Sequence, residues 1–328
     1  MILHAPALLI FDLGYIYRMK YLCLLLVLIA GGLKAQQLEF KKDKKLSMAL
    51  QAIVQEAGLD SSFTTDEKFP ERVSIAVIDM AGKQPVMAGR NADNFIYPAS
   101  VYKMYVAMEI LKQVSEGKFP LNQTYIVRSP NDVDHRREIS TDPRPLLRNG
   151  DTVTINYLLD LMITRSDNSA ANCLIDIAGR KNINATMLAN GWQGSEVTRK
   201  FLSRKKEDPG YDTIRGTETN ARHAAEFMYR VQTNQLINPW VSRQLKALLV
   251  RQLDQSKLST GMPAQAVFSH KTGWWSFYTH DAGIVEEDRL CYIVAVFTPV
   301  KEEMMNGRLK LLAEKIHVLM RQRHLQRK

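Results

Sequence analysis

Two segments of the chain, one near each end, space their apolar residues as an amphipathic helix does. The first stripe is Leu46, Leu50, Ile53, Val54 and Ala57, and the closing stripe is Met305, Leu309, Leu312, Ile316 and Leu319. Shorter patterns with capping residues predict further helices over Ser100–Glu116, from Thr154 to Ile163, Asn168–Ala178, Asn184–Asn190, Ala221–Gln232 with Thr219 as its cap, and from Pro239 to about Leu253. Most of these helices lie in the middle of the chain.

The strand signals fall into two groups on either side of this helical region. The predicted strands are Val73–Met80, Gln84–Gly89, Val267–Thr272, Thr279–Val285 and Leu290–Pro299, and the last is apolar enough to be central. This order predicts an α+β fold: an antiparallel five-stranded sheet flanked by helices, with an inserted all-helical lobe. We assign one domain over 36–328, with a sheet lobe over 38–97 and 219–328 and a helical lobe over 98–218. A site is expected in the cleft between the lobes.

The first 35 residues have the pattern of a leader segment. Met19-Lys20 is followed by the apolar run Tyr21–Leu33 and then by Lys34-Ala35, as in a secretory signal. The run is too short to span a bilayer comfortably. We therefore expect a periplasmic or secreted protein, started at Met1 or Met19, that keeps no membrane span once 1–35 are removed. An uncleaved N-terminal anchor is the alternative.

Composition narrows the classes of function. The 328 residues are 45% hydrophobic, which excludes a disordered chain, and their formal net charge is +10. The basic residues are scattered and are not interleaved with aromatic residues, so we expect no nucleic-acid partner and a solvated surface that favours anionic surroundings. We also expect the protein to be a monomer.

Cysteines and histidines are few. Of the three cysteines, Cys23 lies in the leader, and Cys173 and Cys291 form either a disulfide or two small buried apolar side chains. The seven histidines show no spacing typical of metal ligands, so no metal site is expected.

Three short motifs occur in order along the chain. They are Ser100-Val101-Tyr102-Lys103, Ser166-Asp167-Asn168 and Lys271-Thr272-Gly273, which read S-x-x-K, S-D-N and K-T-G. Each motif alone is a weak signal, because such triplets also arise as helix caps and strand ends. All three in this order, each in a suitable context, indicate one catalytic constellation.

The first motif carries the chemistry of a nucleophile. Ser100 and Lys103 share one helix face at this spacing, and a serine hydroxyl needs a neighbouring base to become nucleophilic. A lysine provides that base when desolvation or nearby cations lower its pKa. The Ser100 N–H, at a helix N-terminus, is a candidate donor to an oxyanion.

The other two motifs supply groups that handle the substrate. The Ser166 hydroxyl can relay a proton to a leaving nitrogen, and the Asn168 carboxamide can bond both a substrate carbonyl and a lysine. On an edge strand, Lys271 and Thr272 offer a cation and a hydroxyl to a carboxylate. Gly273 is expected to let a substrate backbone approach, and the Trp274 N–H to be a second oxyanion donor.

With these motifs on one chain, the sequence resembles the class A β-lactamases, within the penicillin-recognising serine hydrolases. The resemblance covers about residues 40–325 and is strongest over 165–172 and 270–273. It implies an acyl-enzyme on Ser100, a small-molecule β-lactam or a D-Ala-D-Ala-type peptide as the substrate, and neither a metal nor an organic cofactor.

Two features depart from that family. The family's E-x-x-L-N motif, whose glutamate activates the deacylating water, is missing from the loop Ser195–Gly216. Glu207 is the candidate substitute in that loop. After K-T-G, where the family usually has small residues, Trp274-Trp275 either narrow the cleft and change substrate choice or pack on the neighbouring strand.

Three alternatives to β-lactam hydrolysis stay open. A D-alanyl-D-alanine carboxypeptidase, or penicillin-binding protein, needs no E-x-x-L-N glutamate. A non-hydrolysing sensor would be acylated and remain so. An anion-binding surface protein is the remaining class and rests on net charge alone.

Overall fold

A six-stranded sheet forms the centre of the protein in a computed structural model that describes residues 38–65, 70–137 and 139–326. The sheet has the order β1-β5-β4-β10-β9-β8, and β2 with β3 and β6 with β7 form two small ribbons. The strands are β1 Lys41–Lys42, β2 Ser62–Phe63, β3 Glu71–Arg72, β4 Ser74–Asp79, β5 Val86–Arg90, β6 Thr124–Ile126, β7 Thr152–Thr154, β8 Val267–Trp275, β9 Tyr278–Glu287 and β10 Leu290–Thr298.

Helices cover both faces of this sheet and fill the middle of the chain. They are α1 Lys44–Glu56, α2 Lys103–Ser115, α3 Ile155–Thr164, α4 Asn168–Ala178, α5 Arg180–Ala189, α6 Ala221–Gln232, α7 Pro239–Leu249 and α8 Glu302–Leu325. Short 3-10 turns lie at Ala99–Tyr102, Arg204–Lys206 and Leu258–Gly261. Side-chain oxygens cap several helix N-termini: Thr154 accepts from the N–H of Tyr157, and Asp167 from that of Ala170.

The predicted antiparallel five-stranded sheet is confirmed, and a sixth strand extends it. β10 pairs with both β4 and β9, so the most apolar strand is central, as expected. The added strand is the two-residue β1, which pairs parallel with β5. Its two lysines carry no strand pattern, because a two-residue strand is too short for one.

Apolar side chains form two clusters of buried residues. One gathers α2, α3, α4, α6 and α7 with the face of the sheet that they cover. The other lies between α1, α8 and the opposite face. Burial on both faces stabilises the sheet and holds β8, at its edge, in a fixed position beside the helical region.

Several boundaries differ from the predictions for physical reasons. Ser100 lies in the 3-10 turn that precedes α2 and not in the α-helix itself. The N-cap of α6 is Asn220, whose side chain accepts from the N–H of His223, so the cap prediction for Thr219 is wrong. α7 ends at Leu249.

Four other predictions concern the cysteines, the leader segment, membrane spans and the division into lobes. Cys173 and Cys291 are both free thiols, so they form no disulfide. The leader over 1–35 lies outside the described residues. In the part of the chain that is described, no helix combines the length and the apolar character that crossing a membrane requires. The division into two lobes stays a prediction.

Candidate active site

The turn Ala99–Tyr102 carries Ser100 to the wall of a cavity of about 540 Å³. Ser100 is mostly buried, with 8% of its surface exposed, and Ala99 before it has a φ of 44°. A left-handed backbone at a residue with a Cβ is strained and is found preferentially at functional sites. The local backbone therefore aims Ser100 into the cavity at a cost in conformational energy.

Lys103 begins α2 one turn after Ser100, and its side chain is fully buried. Its Nζ donates to Asn168 Oδ1 at 2.8 Å, to Ser166 Oγ at 3.2 Å and to the Ser166 carbonyl oxygen. The Nζ also lies 4.3 Å from the centroid of the Phe201 ring. The S-x-x-K and S-D-N motifs, distant along the chain, thus meet at one ammonium group.

Ser166 is held in place by the residues on either side of it. Its φ of 62° marks a second strained, non-glycine backbone at the site. Asp167 caps α4 through the N–H of Ala170 at 2.7 Å and pairs with Arg165 at 2.8 Å. Burial, reinforced by the Asp134 carboxylate, raises the pKa of Asp167. Asp167 is therefore structural, and it fixes the loop that presents Ser166.

Lys271 reaches the same hydroxyl from the opposite side. Its Nζ donates to Ser166 Oγ at 3.0 Å and to the Thr272 carbonyl oxygen at 2.8 Å, and Lys271 is fully buried. Because Ser166 Oγ accepts from two ammonium groups, its own hydrogen points away from both lysines. This arrangement suits a hydroxyl that passes a proton to a bound substrate.

Gly273 allows a close approach between two parts of the chain itself. A Cβ on Gly273 would lie 2.8 Å from the Pro98 carbonyl oxygen and 3.0 Å from the Ser100 nitrogen. The absence of a side chain therefore lets the turn that carries Ser100 pack on β8, and the approach of a substrate backbone to Gly273 stays a prediction. Thr272 is 2% exposed, and its role toward a carboxylate stays a prediction, as does the Trp274 N–H as an oxyanion donor.

Glu207 does not face Ser100. Its carboxylate is fully buried and pairs with Arg180, while its Oε2 accepts from the Lys200 N–H at 3.1 Å and lies 3.8 Å from Arg199 Nε. Both oxygens hold the loop in place, and Glu207 is not among the residues that line the cavity. This geometry argues against Glu207 as the deacylating base, and its role stays a prediction.

Phe201, on the same loop, lies against Lys103, whose Nζ is 4.3 Å from the centroid of its ring. The Asn172 carboxamide holds its backbone, accepting from the Phe201 N–H at 2.7 Å and donating to its carbonyl oxygen at 3.5 Å. The Phe201 ring stacks on Tyr102, with centroids 5.0 Å apart and planes 7° apart. Sequence reasoning did not find this contact, because nothing in the loop's pattern pairs it with α2 or α4.

Asp134 is a second site residue that the sequence did not indicate. Its Oδ2 accepts from the Asn168 N–H at 2.7 Å, and its Oδ1 accepts from Asn168 Nδ2 at 3.0 Å. The carboxamide is thereby oriented with its oxygen toward Lys103. Asp134 lies in an irregular polar stretch, where one acid cannot be told from the others.

Within the described residues, no three His, Cys, Asp or Glu side chains converge as metal ligands would.

Aromatic side chains form much of the remaining cavity wall. Tyr97, Tyr102, Phe201, Trp274 and Trp275 line it. Burial raises the pKa of Tyr97 to about 12 and that of Tyr102 well above its ordinary value, so both phenols stay neutral. Trp274 and Trp275, which stand after K-T-G where small residues are usual, thus lie at the cavity.

Comparison with known proteins agrees with this geometry. A model of the β-lactamase enzyme family matches residues 49–316. The extended-spectrum β-lactamase PER-1 of Pseudomonas aeruginosa is 25% identical over 228 residues, which are 66% of this chain and 71% of PER-1.

Solved structures share the fold at low identity. PBP-A superposes with a TM-score of 0.71 at 18% identity, over 88% of this chain and all of PBP-A. A β-lactamase from Chitinophaga pinensis gives 0.67 at 18% identity, over 83% of this chain and 99% of that one. An L158E mutant of PBP-A has been solved as an acyl-enzyme complex with penicillin G and gives 0.71.

Proposed function

The chain belongs to the β-lactamase enzyme family, and from this premise we propose that it opens the β-lactam amide through an acyl-enzyme on Ser100. The observation that carries the proposal is the convergence of Lys103 and Lys271 on the Ser166 hydroxyl, at 3.2 and 3.0 Å. Lys103 also donates to Asn168, which lines the same cavity as Ser100. A structural role alone does not account for two buried ammonium groups on one hydroxyl, because burying like charges together is costly.

The first half of the reaction forms the acyl-enzyme. Ser100 Oγ attacks the carbonyl carbon, a C–O bond forms, and the C–N bond of the amide then breaks. Ser100 loses its proton to Lys103 as Lys103 passes one to Ser166 and Ser166 passes its own to the leaving nitrogen. The net result is one proton moved from Ser100 to nitrogen. Asn168 orients the substrate amide, and Lys271 attracts its carboxylate.

The second half of the reaction is hydrolysis of the acyl-enzyme, which needs a base that activates water. Asp134 is the described carboxylate in the cavity lining, and both of its oxygens are bonded to Asn168. Glu207 is buried in an ion pair with Arg180. Phe201 covers the lysine instead. We therefore propose a long-lived acyl-enzyme.

A second candidate is D-alanyl-D-alanine peptidase chemistry. It is favoured because Asp134, the described carboxylate in the cavity lining, is bonded through both oxygens to Asn168. The first half of that reaction uses the same groups on a linear peptide amide. It does not depend on the loop glutamate that this chain lacks. Release of D-alanine from a peptide ending in D-Ala-D-Ala would distinguish this function from β-lactam hydrolysis.

The test is the intact mass of the protein, followed over time after brief exposure to benzylpenicillin. We expect addition of one intact penicillin mass to the wild type and no addition to Ser100→Ala. Slow return to the starting mass, with turnover of nitrocefin, indicates a hydrolase, and one equivalent opened per protein indicates a sensor. Labelling of Ser100→Ala would contradict the proposal.

We further propose that the protein works as a monomer in the periplasm or outside the cell. The support is the signal-like pattern of residues 1–35. Fractionation of cells that express the chain with and without these residues tests the location, and sedimentation of the purified protein tests the oligomeric state. Retention of the full chain in the cytoplasm would contradict the first proposal.

A further inference from the structure

Two neighbouring tryptophans expose their indoles at the mouth of the catalytic cavity. Trp275 is 64% exposed and Trp274 is 37% exposed, and both line the cavity that holds Ser100. Trp192, by contrast, is fully buried and lies 5.6 Å from the Tyr105 ring. A large aromatic side chain left in water forgoes a substantial hydrophobic gain, and neighbouring exposed apolar groups mark interaction sites. Packing on the adjacent strand therefore does not explain Trp275.

From this exposure we infer that Trp275, with Trp274 beside it, forms a subsite for an aromatic group on the acyl side of the substrate. The inference rests on the proposed function and names its substrate class. Both indoles follow Gly273 on β8, and Gly273 packs against the turn of Ser100. A group attached near the reacting carbonyl is thus brought close to the indoles.

The other walls of the cavity match such a group. The rings of Tyr102 and Phe201, which also line the cavity, stack in parallel. The phenols of Tyr97 and Tyr102 are both neutral. A cavity of about 540 Å³ has the size of sites that take small organic ligands. Aromatic rings in offset or edge contact with indoles gain more than their buried area alone provides.

The cations in the cavity lining are paired with carboxylates. Lys200 forms ion pairs with Asp176 and Asp208, and Arg199 Nε lies 3.8 Å from Glu207 Oε2. The exposed indoles and the stacked rings of Tyr102 and Phe201 therefore decide which occupant fits, and a neutral aromatic group matches them.

The test compares two penicillins that differ in that group. Benzylpenicillin carries an aromatic acyl side chain, and 6-aminopenicillanic acid carries none. We expect the wild type to be acylated faster by benzylpenicillin, and Trp275→Ala to lose about three- to tenfold of this preference, measured as the ratio of the two acylation rates. Trp275→Phe should restore most of the preference. Trp240→Ala, on α7, is the matched control and should not change it.

A second readout separates this inference from the proposed function. In a Ser100→Ala background, the dissociation constants of the two penicillins report binding without acylation. If the wild type is never acylated, the proposed function fails, and the ratio of these constants decides the inference alone. A ratio that Trp275→Ala leaves unchanged, or rates that fall equally for both penicillins, would overturn the inference.

Discussion

Gly273 lies so close to Ser100 that a Cβ on the glycine would be 3.0 Å from the serine nitrogen. This contact joins the edge strand β8 to the turn that carries the nucleophile. It also brings the K-T-G and S-x-x-K motifs together, so the position of the Ser100 turn on β8 depends on a missing side chain.

We expect Gly273→Ala to slow acylation and to lower the free energy of unfolding by about 1 to 3 kcal/mol, because the added methyl group meets backbone atoms that cannot yield. Urea denaturation and the rate of benzylpenicillin acylation measure the two effects. Gly307→Ala is the matched control. Its added Cβ would meet nothing within 4 Å on α8, so it should be neutral or stabilising. Unchanged acylation in Gly273→Ala would show that the turn can shift without loss.

Ser166→Ala removes the hydroxyl that links the two lysines. Acylation by benzylpenicillin should fall roughly a hundredfold or more, because the proton then has no direct path to the leaving nitrogen. Rapid mixing followed by mass measurement gives the rate. Ser203→Ala, at the exposed rim of the same cavity, should leave it near the wild-type value. Equal rates in both variants would remove Ser166 from the proton path.

Phe201→Glu places a carboxylate where the phenyl ring now covers Lys103. The half-life of the benzylpenicillin acyl-enzyme should shorten, by roughly a hundredfold if the new group activates water well. Phe201→Gln introduces a side chain with nearly the shape of glutamate that cannot act as a base. Comparing the two variants therefore separates base catalysis from the effect of removing the phenyl ring from the cavity wall. If both variants shorten the half-life equally, water entry and not basicity controls it.

Glu207→Gln should weaken the fold without changing the life of the acyl-enzyme. Losing the carboxylate leaves Arg180 buried with a poorer partner, which costs about 2 to 4 kcal/mol of unfolding free energy. Asp212→Asn, exposed on the same loop, is the control and should have little effect. A change in acyl-enzyme half-life larger than that of the control would restore Glu207 as a candidate base.

Stability should decline in acid through a buried histidine. Burial lowers the pKa of His280 to about 3 from an ordinary 6.5, so the folded state holds the neutral ring while the unfolded state takes up a proton. The contribution is fully present above pH 6.5 and is lost as the pH falls from 6.5 toward 3. At pH 4.5 this loss is about 2 to 3 kcal/mol.

The variant His280→Gln tests this coupling. It should be less stable at pH 7, because His280 bonds to the Tyr97 carbonyl oxygen and accepts from the Thr298 N–H. Its unfolding free energy should nevertheless fall less steeply between pH 7 and 4.5, measured by urea denaturation. His135→Gln, at an exposed position, is the control. A slope equal to that of the wild type would show that His280 is not a source of acid sensitivity.

The sequence by itself predicted most of the helices, the five long strands and the residues of a candidate catalytic constellation. Periodic apolar residues predicted α1, α8 and the central strand, because burial of one face is recorded directly in local spacing. The three motifs identified Ser100, Lys103, Ser166, Asn168 and Lys271 for the same reason: each motif is short, and its residue types are tied to one kind of reaction.

Only the tertiary structure decided how these groups are used. It put the Ser166 hydroxyl between two lysines, Phe201 on Lys103, and Asp134 on Asn168. It also placed Glu207 in a buried ion pair with Arg180. These are contacts between irregular loops and distant helices, and no local spacing encodes them. Their geometry follows from how the whole core packs, and for that reason the sequence pattern could not predict them.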